Sequence, residues 1–297
     1  MHHKVLLSQH SKAQSAMEYL MTYGWAILII AVVLGALFEL GVFSGTFFMP
    51  HVPPGSCHVF RPYGPRTVGS INLEGECQGA LPQYAALFKG SGSIPAPASM
   101  LPNGNAPRTI TAWVDPSSEG GNSGIFYYGG VNCVPDGALF GLILSGNSLY
   151  VWGSCNDYNT NVYIPLNKWS FVAVNYTGST ITAFYDGNAT GNPVSYTSDA
   201  CDSSECTSAY IGGAGGWWGG QFSGSIANVQ VYNNSLSAQQ IKSLYQEGIG
   251  GAPVNLQNLV GWWPLNGNAN DYSGNDNSGT ATGVSYTTNW ESGYTQP

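Results

Sequence analysis

Charge is what this sequence has least of. Asp, Glu, Lys and Arg together make up 8% of its 297 residues, against roughly 25% in ordinary globular proteins. No basic cluster occurs, so a nucleic acid would find no electrostatic handle. Histidine is confined to His2, His3, His10, His51 and His58. Beyond residue 60 there is no imidazole to act as a base, which argues against Ser-His-Asp or Cys-His catalysis there. None of the 6 cysteines forms a CxxC pair, and the region past residue 60 has no histidine to complete a zinc site. Lys, Glu and Arg, the charged helix formers, are scarce throughout, which weakens the case for helices after the N-terminal region.

What remains is glycine, polar amides and hydroxyls, and aromatics. There are 40 Gly, 18 Tyr and 9 Trp, a composition that favours an all-β head with many turns. The net charge of −8 gives an acidic, weakly charged coat that suits a protein outside the cell. An even cysteine count in an exported chain reads as disulfides. Pairing sequence neighbours predicts Cys57–Cys77, Cys133–Cys155 and Cys201–Cys206. Buried free thiols are the alternative.

Residues 14–43 have a different character. From Tyr19 to Phe38 no residue is charged, and a helix of that length spans about 30 Å, one hydrocarbon core. Residues 1–13 before it form a short basic leader. The junction reads Lys12-Ala13-Gln14-Ser15-Ala16-Met17-Glu18-Tyr19-Leu20. This resembles the class III signal peptide of archaeal type IV pilin-like proteins. The resemblance implies cleavage by a prepilin peptidase between Ala13 and Gln14, leaving Glu18 as the fifth mature residue. Ala16 stands where that family often has Ser. Cutting ahead of the apolar run leaves the helix intact. It can then hold the subunit in the bilayer and later pack against identical or related pilin helices. A carboxylate in such surroundings needs a partner, and the amine of Gln14 in a neighbouring subunit supplies one. Glu18 also complements the helix dipole. A plain, uncut signal anchor is the alternative.

Residues 44–83 read as a neck, because Pro50, Pro53, Pro54, Pro62, Pro65 and Pro82 forbid a continuous helix. His58–Phe60 and residues 68–73 are candidate short strands there, stapled by Cys57–Cys77. From residue 84 to 297 the pattern is short strands between turn residues. Expected strands cover 85–88, 108–114, 124–128, 139–144, 148–152, 169–176, 181–185, 209–211 and 224–232. One helix, 238–247, is capped by Ser237 and ended by Gly248. Many short strands at such spacing predict a sandwich or jelly roll.

Four stretches of this region, 108–114, 167–174, 185–187 and 224–237, resemble strand motifs of laminin-G-like, concanavalin-A-like jelly rolls. These are Arg108-Thr109-Ile110-Thr111-Ala112-Trp113-Val114, then Asn167 to Val174, Tyr185-Asp186-Gly187, and Gly224 to Ser237. The resemblance covers 84–250 and implies the fold more than any ligand. The stretch Leu259-Val260-Gly261-Trp262-Trp263-Pro264-Leu265 onward resembles how that family usually begins, yet here it comes last. A circular permutation, with 259–288 supplying the displaced first strands in cis, accounts for this. Donation of the strand to a neighbouring subunit and a truncated second copy are the alternatives.

Candidate sites follow from residue chemistry. Asn268, Asp271, Asn275 and Asp276 offer hard oxygen ligands in a turn-rich loop, suited to structural Ca²⁺; the competing reading is a plain turn. Trp217, Trp218, Tyr127, Tyr128 and Trp152 are candidates for stacking on a sugar, against a role in the core or an inter-subunit contact. Sequons begin at Asn175, Asn188 and Asn233, with Asn188 in an expected hairpin turn. Glycosidases of this fold resemblance carry a close carboxylate pair on an E-x-D-x-E type strand, and no such motif occurs. The sequence therefore reads as a non-enzymatic, pilin-like subunit or adhesin. It would sit in the cell membrane before assembly and on the extracellular surface or in a filament afterwards. Its expected partners are the membrane, pilin subunits, the peptidase, and glycans or another cell surface. A singly anchored carbohydrate-binding adhesin is the alternative, and a surface hydrolase a more distant one.

Overall fold

The computed structural model describes residues 21, 23–36, 57–65, 67, 71–75, 77, 81–130, 138–201, 207–213 and 220–297. Two units emerge, Met1–His51 and Val52–Pro297. In the first, residues 23–36 are helical (α1). Trp25, Ile27, Ile30 and Leu34 are 65%, 66%, 57% and 49% exposed, so every side of the helix presents apolar surface. No helix of the described residues is long and apolar enough to cross a membrane. The leader, the cleavage-site residues Lys12, Ala13 and Gln14, and Glu18 lie outside the described residues.

The second unit is an all-β, jelly-roll-like sandwich with two layers. In chain order its strands are β1 (His58–Phe60), β2 (Asn72–Glu74), β3 (Ala85–Pro97), β4 (Arg108–Pro116), β5 (Gly120–Gly129), β6 (Leu139–Gly146), β7 (Ser148–Trp152) and β8 (Tyr158–Tyr163). There follow β9 (Ser170–Tyr176), β10 (Thr180–Tyr185), β11 (Asn188–Ala189), β12 (Val194–Ser195), β13 (Ser208–Ile211), β14 (Ser223–Tyr232), helix α2 (Ala238–Gln246), β15 (Leu259–Trp263) and β16 (Thr282–Thr287). The pairings between these strands are antiparallel. The main path runs β11-β10-β9-β4-β14-β3-β13-β5-β6-β7-β8.

Strand β3 turns the corner between the layers. Its first part, Ala86 to Lys89, pairs with β14, and its last part, Ile94 to Pro97, pairs with β13. Between them Gly90 takes a φ of 73°, which a side chain would resist. At Gly92 an added Cβ would lie 2.4 Å from the Gly283 carbonyl oxygen, so only glycine lets β16 pass. β15 pairs with β14 and β16 with β3 of the same chain.

Alternation along the strands sorts side chains between three apolar clusters. In β4, Ile110, Ala112 and Val114 point between the layers, while Trp113 points outward beneath α2. The inter-layer core gathers Phe88, Phe126, Tyr128, Phe140 and Trp263. The outer face of the first layer buries Trp113, Phe171 and Trp262 against Ile241 and Leu244 of α2 and against Trp290. Ser237 caps α2 by accepting from the Gln240 N–H, and Gln240 returns a bond to the Ser237 N–H, two satisfied groups at the helix start.

Residues 57–77 pack against the later chain. Cys57 and Cys77 form a disulfide, and the Val59 N–H donates to the Tyr272 carbonyl at 2.9 Å. The Arg61 guanidinium donates to the carbonyls of Ser273 (2.8 Å), Leu259 (3.0 Å) and Leu256 (3.2 Å). Cys155 and Cys201 each take part in a disulfide. Cys133 and Cys206 lie outside the described residues.

Candidate functional site

Strands β13, β5, β6, β7 and β8 contain no Asp, Glu, Lys, Arg or His. Their outer face is therefore neutral in a chain whose net charge is −8. The register lines up one row across them: Tyr210 opposite Tyr127, Tyr127 opposite Gly141, and Gly141 opposite Trp152. The Tyr127 and Tyr210 rings stack at 5.3 Å and 19°, and Trp152 meets Tyr127 edge-on at 4.9 Å. Gly141 is what permits this. A Cβ there would lie 2.2 Å from the Tyr127 Cβ, so the row closes over a bare backbone.

A second row places Ile143 opposite Tyr150, and Tyr150 opposite Asn159. The Asn159 amide donates to the Tyr150 hydroxyl at 2.9 Å. A third row ends on Tyr163, whose hydroxyl accepts from the Asn147 amide at 3.1 Å. Tyr127 and Trp152 are themselves buried, at 1% and 6% exposure, whereas Tyr163 is 61% exposed. Tyr150 and Tyr210 are partly exposed. What solvent meets is thus Tyr210, Tyr150, Asn159 and Tyr163, rigidified from below by Tyr127, Ile143 and Trp152. Such a face offers ring surfaces with amide and hydroxyl groups between them. That combination matches the apolar and hydroxylated sides of a sugar ring.

The expected aromatic set is split by the strand period. Tyr127 and Trp152 share this face. Tyr128, one residue on, points into the inter-layer core at 0% exposure, where its hydroxyl donates to the Pro102 carbonyl at 2.8 Å and accepts from Arg108 at 2.9 Å. Burial raises the Tyr128 phenol, opposed by the Arg108 charge. Trp217 and Trp218 lie outside the described residues, but both flanks of their segment adjoin β5. Gly213 accepts from the Tyr127 hydroxyl at 3.5 Å, and Gly220 bridges to Ser123. Tyr210, Tyr150, Asn159 and Tyr163 escaped the sequence reading, although Tyr150 stands two positions before Trp152 and shares its face by period 2.

The proposed calcium loop is built differently from a cation cage. Asp271 Oδ1 accepts from the Trp262 N–H (2.9 Å) and the Ser273 N–H (2.8 Å). Its Oδ2 accepts from the Ser273 hydroxyl (2.9 Å) and the Asn277 N–H (2.9 Å). Four donors fill the lone pairs a metal would need. The Asn275 amide nitrogen donates to the Leu259 carbonyl at 3.0 Å and Asn268 donates to Tyr272 at 3.0 Å, while Asp276 is exposed. These residues do not fit a Ca²⁺ site in this arrangement. Among the described residues no group of three or more His, Cys, Asp or Glu is placed to hold a metal. Desolvation raises the Asp271 carboxyl, opposed by its backbone hydrogen bonds.

The three sequon asparagines differ. Asn188 and Asn233 are exposed. Asn175 is engaged on both sides of its amide, donating to the Leu236 carbonyl at 2.8 Å and accepting from the Thr109 hydroxyl at 3.4 Å. Asp115, at the end of β4, and Asp186, after β10, belong to the other layer. Burial pushes Asp115 up to about 6 and raises Asp186.

A two-layered antiparallel jelly roll with an uncharged aromatic outer face defines a lectin-like architecture. The chain belongs to the concanavalin A-like lectin/glucanases superfamily, whose Laminin_G_3 model matches residues 88–242. Comparison with curated proteins finds no match to this sequence. Among solved structures, the fold is shared with a Bacteroides ovatus protein provisionally named for carbohydrate binding, at 17% identity and a TM-score of 0.55. That similarity covers 73% of this chain and 62% of that one. A heptameric SAP-like pentraxin from Limulus polyphemus is similar at 14% identity and a TM-score of 0.48, over 69% of this chain and 94% of its own.

Proposed function

We propose that this protein binds neutral glycans outside the cell, without catalysis, through the outer face of β13 and β5–β8. The observation that carries this reading is the conjunction of five adjacent uncharged strands with the Tyr210–Tyr127–Trp152 row. Among the described residues of this face an ionic ligand would meet no counter-charge, whereas a sugar ring would meet stacked aromatics with amide and hydroxyl groups beside them. Membership of a lectin-containing superfamily supports it. The test is the full-length protein on a glycan array, with Tyr150→Ala and Tyr210→Ala in parallel. Removing one stacking ring is expected to weaken binding about tenfold. A featureless array, or binding indifferent to both substitutions, would refute the reading.

The N-terminal segment gives this binding domain a place. The residues of α1 are apolar and exposed all round, which an aqueous helix does not tolerate. Together with the Lys12-Ala13-Gln14 and Glu18 pattern, this supports a pilin-like subunit, held in the membrane by residues 14–43 and assembled through them with related subunits after peptidase cleavage. The mature N-terminus is then Gln14, read by terminal sequencing. Glu18→Ala is expected to abolish filaments while leaving membrane insertion intact. An unprocessed N-terminus would instead leave a singly anchored adhesin.

A further inference from the structure

A second concavity lies away from the aromatic face. At the open edge of the sandwich, β8 of one layer stands opposite β10 and the 190–194 segment of the other. They enclose a cleft of about 320 Å³, at the small end of ligand pockets. None of its ten lining residues carries a charge. Its apolar floor is Ile181 and Ala183, both buried. Around the floor stand Tyr158, Asn161 and Asn192, whereas Thr182, opposite Asn175, turns its side chain to the other face of β10. Tyr158, Asn161 and Asn192 come from two chain segments, and their side chains make no hydrogen bond among the described residues. By contrast Thr160 and Thr190, which also line it, spend their hydroxyl protons on the Leu149 and Ala183 carbonyls at 2.7 and 3.1 Å.

The geometry around Asn161 shows how the edge is shaped. Its φ of 58° is in the left-handed region, and its N–H donates to the Asn159 side-chain oxygen at 2.8 Å. This turn interrupts the ladder within β8, whose register with β7 shifts between Leu149 and Tyr150. A regular edge strand would invite another strand; this one is bent, which favours a discrete ligand over an added strand.

We infer that this edge cleft is a separate binding site for one neutral sugar unit, such as the terminal residue of a glycan. The Asn161 and Asn192 amides and the Tyr158 hydroxyl each donate and accept, as vicinal sugar hydroxyls do, and the Ile181–Ala183 floor takes the apolar face of the ring. A carboxylate or ammonium ligand would enter without a counter-charge and pay its desolvation uncompensated. The site does not depend on the aromatic face, since β8 turns Asn159 toward that face and Tyr158 toward the inter-layer side.

The test uses full-length protein produced without N-glycosylation, so that a sugar on Asn188 cannot occupy the cleft. Saturation-transfer NMR with glucose, galactose, mannose and N-acetylglucosamine, and with N-acetylneuraminic acid as the anionic control, reads binding. At least one neutral sugar is expected to bind and the acid not to. The double variant Tyr158→Phe/Asn192→Ala, on partly exposed and exposed positions, is expected to weaken binding about tenfold or more, with an unchanged melting temperature. Tyr210→Ala should leave this binding intact. No transfer to any neutral sugar, equal binding of the acid, or binding lost in Tyr210→Ala but kept in the double variant would each overturn the inference.

Discussion

The substitution Asp271→Asn tests how the loop after β15 is held. The carboxylate accepts four hydrogen bonds, from the Trp262, Ser273 and Asn277 N–H groups and the Ser273 hydroxyl. An amide oxygen accepts two, and its nitrogen would face two donors with a third. Each bond lost to a charged acceptor is worth about 1.5–3 kcal/mol, a gross loss of about 3–6 kcal/mol. The amide also removes a carboxylate whose charged form burial disfavours, so the net loss falls toward about 3 kcal/mol. For a domain of this size that lowers Tm by roughly 6–12 °C. Indole fluorescence is a suitable probe, because the Trp262 backbone N–H donates to this carboxylate and the Trp262 ring is packed in the buried cluster beside it. Melting the wild type with and without EDTA completes the experiment. A loop held by these four donors is indifferent to chelation. A Tm that falls with EDTA in the wild type, and hardly changes in Asp271→Asn, would show that a cation occupies the carboxylate and refute the hydrogen-bond reasoning.

Two further predictions concern titration and modification. Asp115 is raised to about 6 by burial, and its Oδ1 has no hydrogen-bond partner among the described residues. A raised carboxyl pKa means the folded state holds the proton more tightly. The associated stability is fully present below about pH 4, the unfolded value, and is lost as pH rises through about 6. Asp115→Asn should therefore gain on the wild type between pH 4 and 7 in urea titrations; a gap that stays constant with pH would count against it. For glycosylation, peptide mapping of protein from its source cells should find glycans at Asn188 or Asn233 and none at Asn175. An occupied Asn175 would require the Leu236 contact to open.

Much of the fold was legible because its strands obey period 2. Expected strand 108–114 is β4, and the expected helix is α2 with its Ser237 cap. What failed were stretches whose local chemistry says turn while long-range pairing says strand. β3 runs to Pro97 through Gly90, Gly92 and Pro95, because pairing with β14 and then β13 holds it extended past residues that alone would break it. β8 reads Tyr-Asn-Thr-Asn-Val-Tyr, a loop by composition, and among the described strands it pairs with β7 alone. Overlooking β8 hid both the Asn159 contribution to the aromatic face and the whole edge cleft, since neither exists until β8 is placed beside β7.

The same reasoning explains why the candidate site was half legible. Counting aromatics found Tyr127 and Trp152, but composition cannot say on which side of a sheet a ring lies. Adjacent Tyr127 and Tyr128 look like one patch in sequence and serve opposite faces in the fold. Tyr128 instead completes a buried cage for Arg108, whose guanidinium lies 4.9 Å from the Phe140 ring centre and donates to the Ala106, Asn103 and Gly104 carbonyls. That cage satisfies a buried cation without a carboxylate, using carbonyls and ring faces. The two neighbouring tyrosines thus divide the work. One fixes the interior of the sandwich, and the other stiffens the surface that would meet a sugar, so a change at Tyr128 should cost folding where a change at Tyr210 costs only binding.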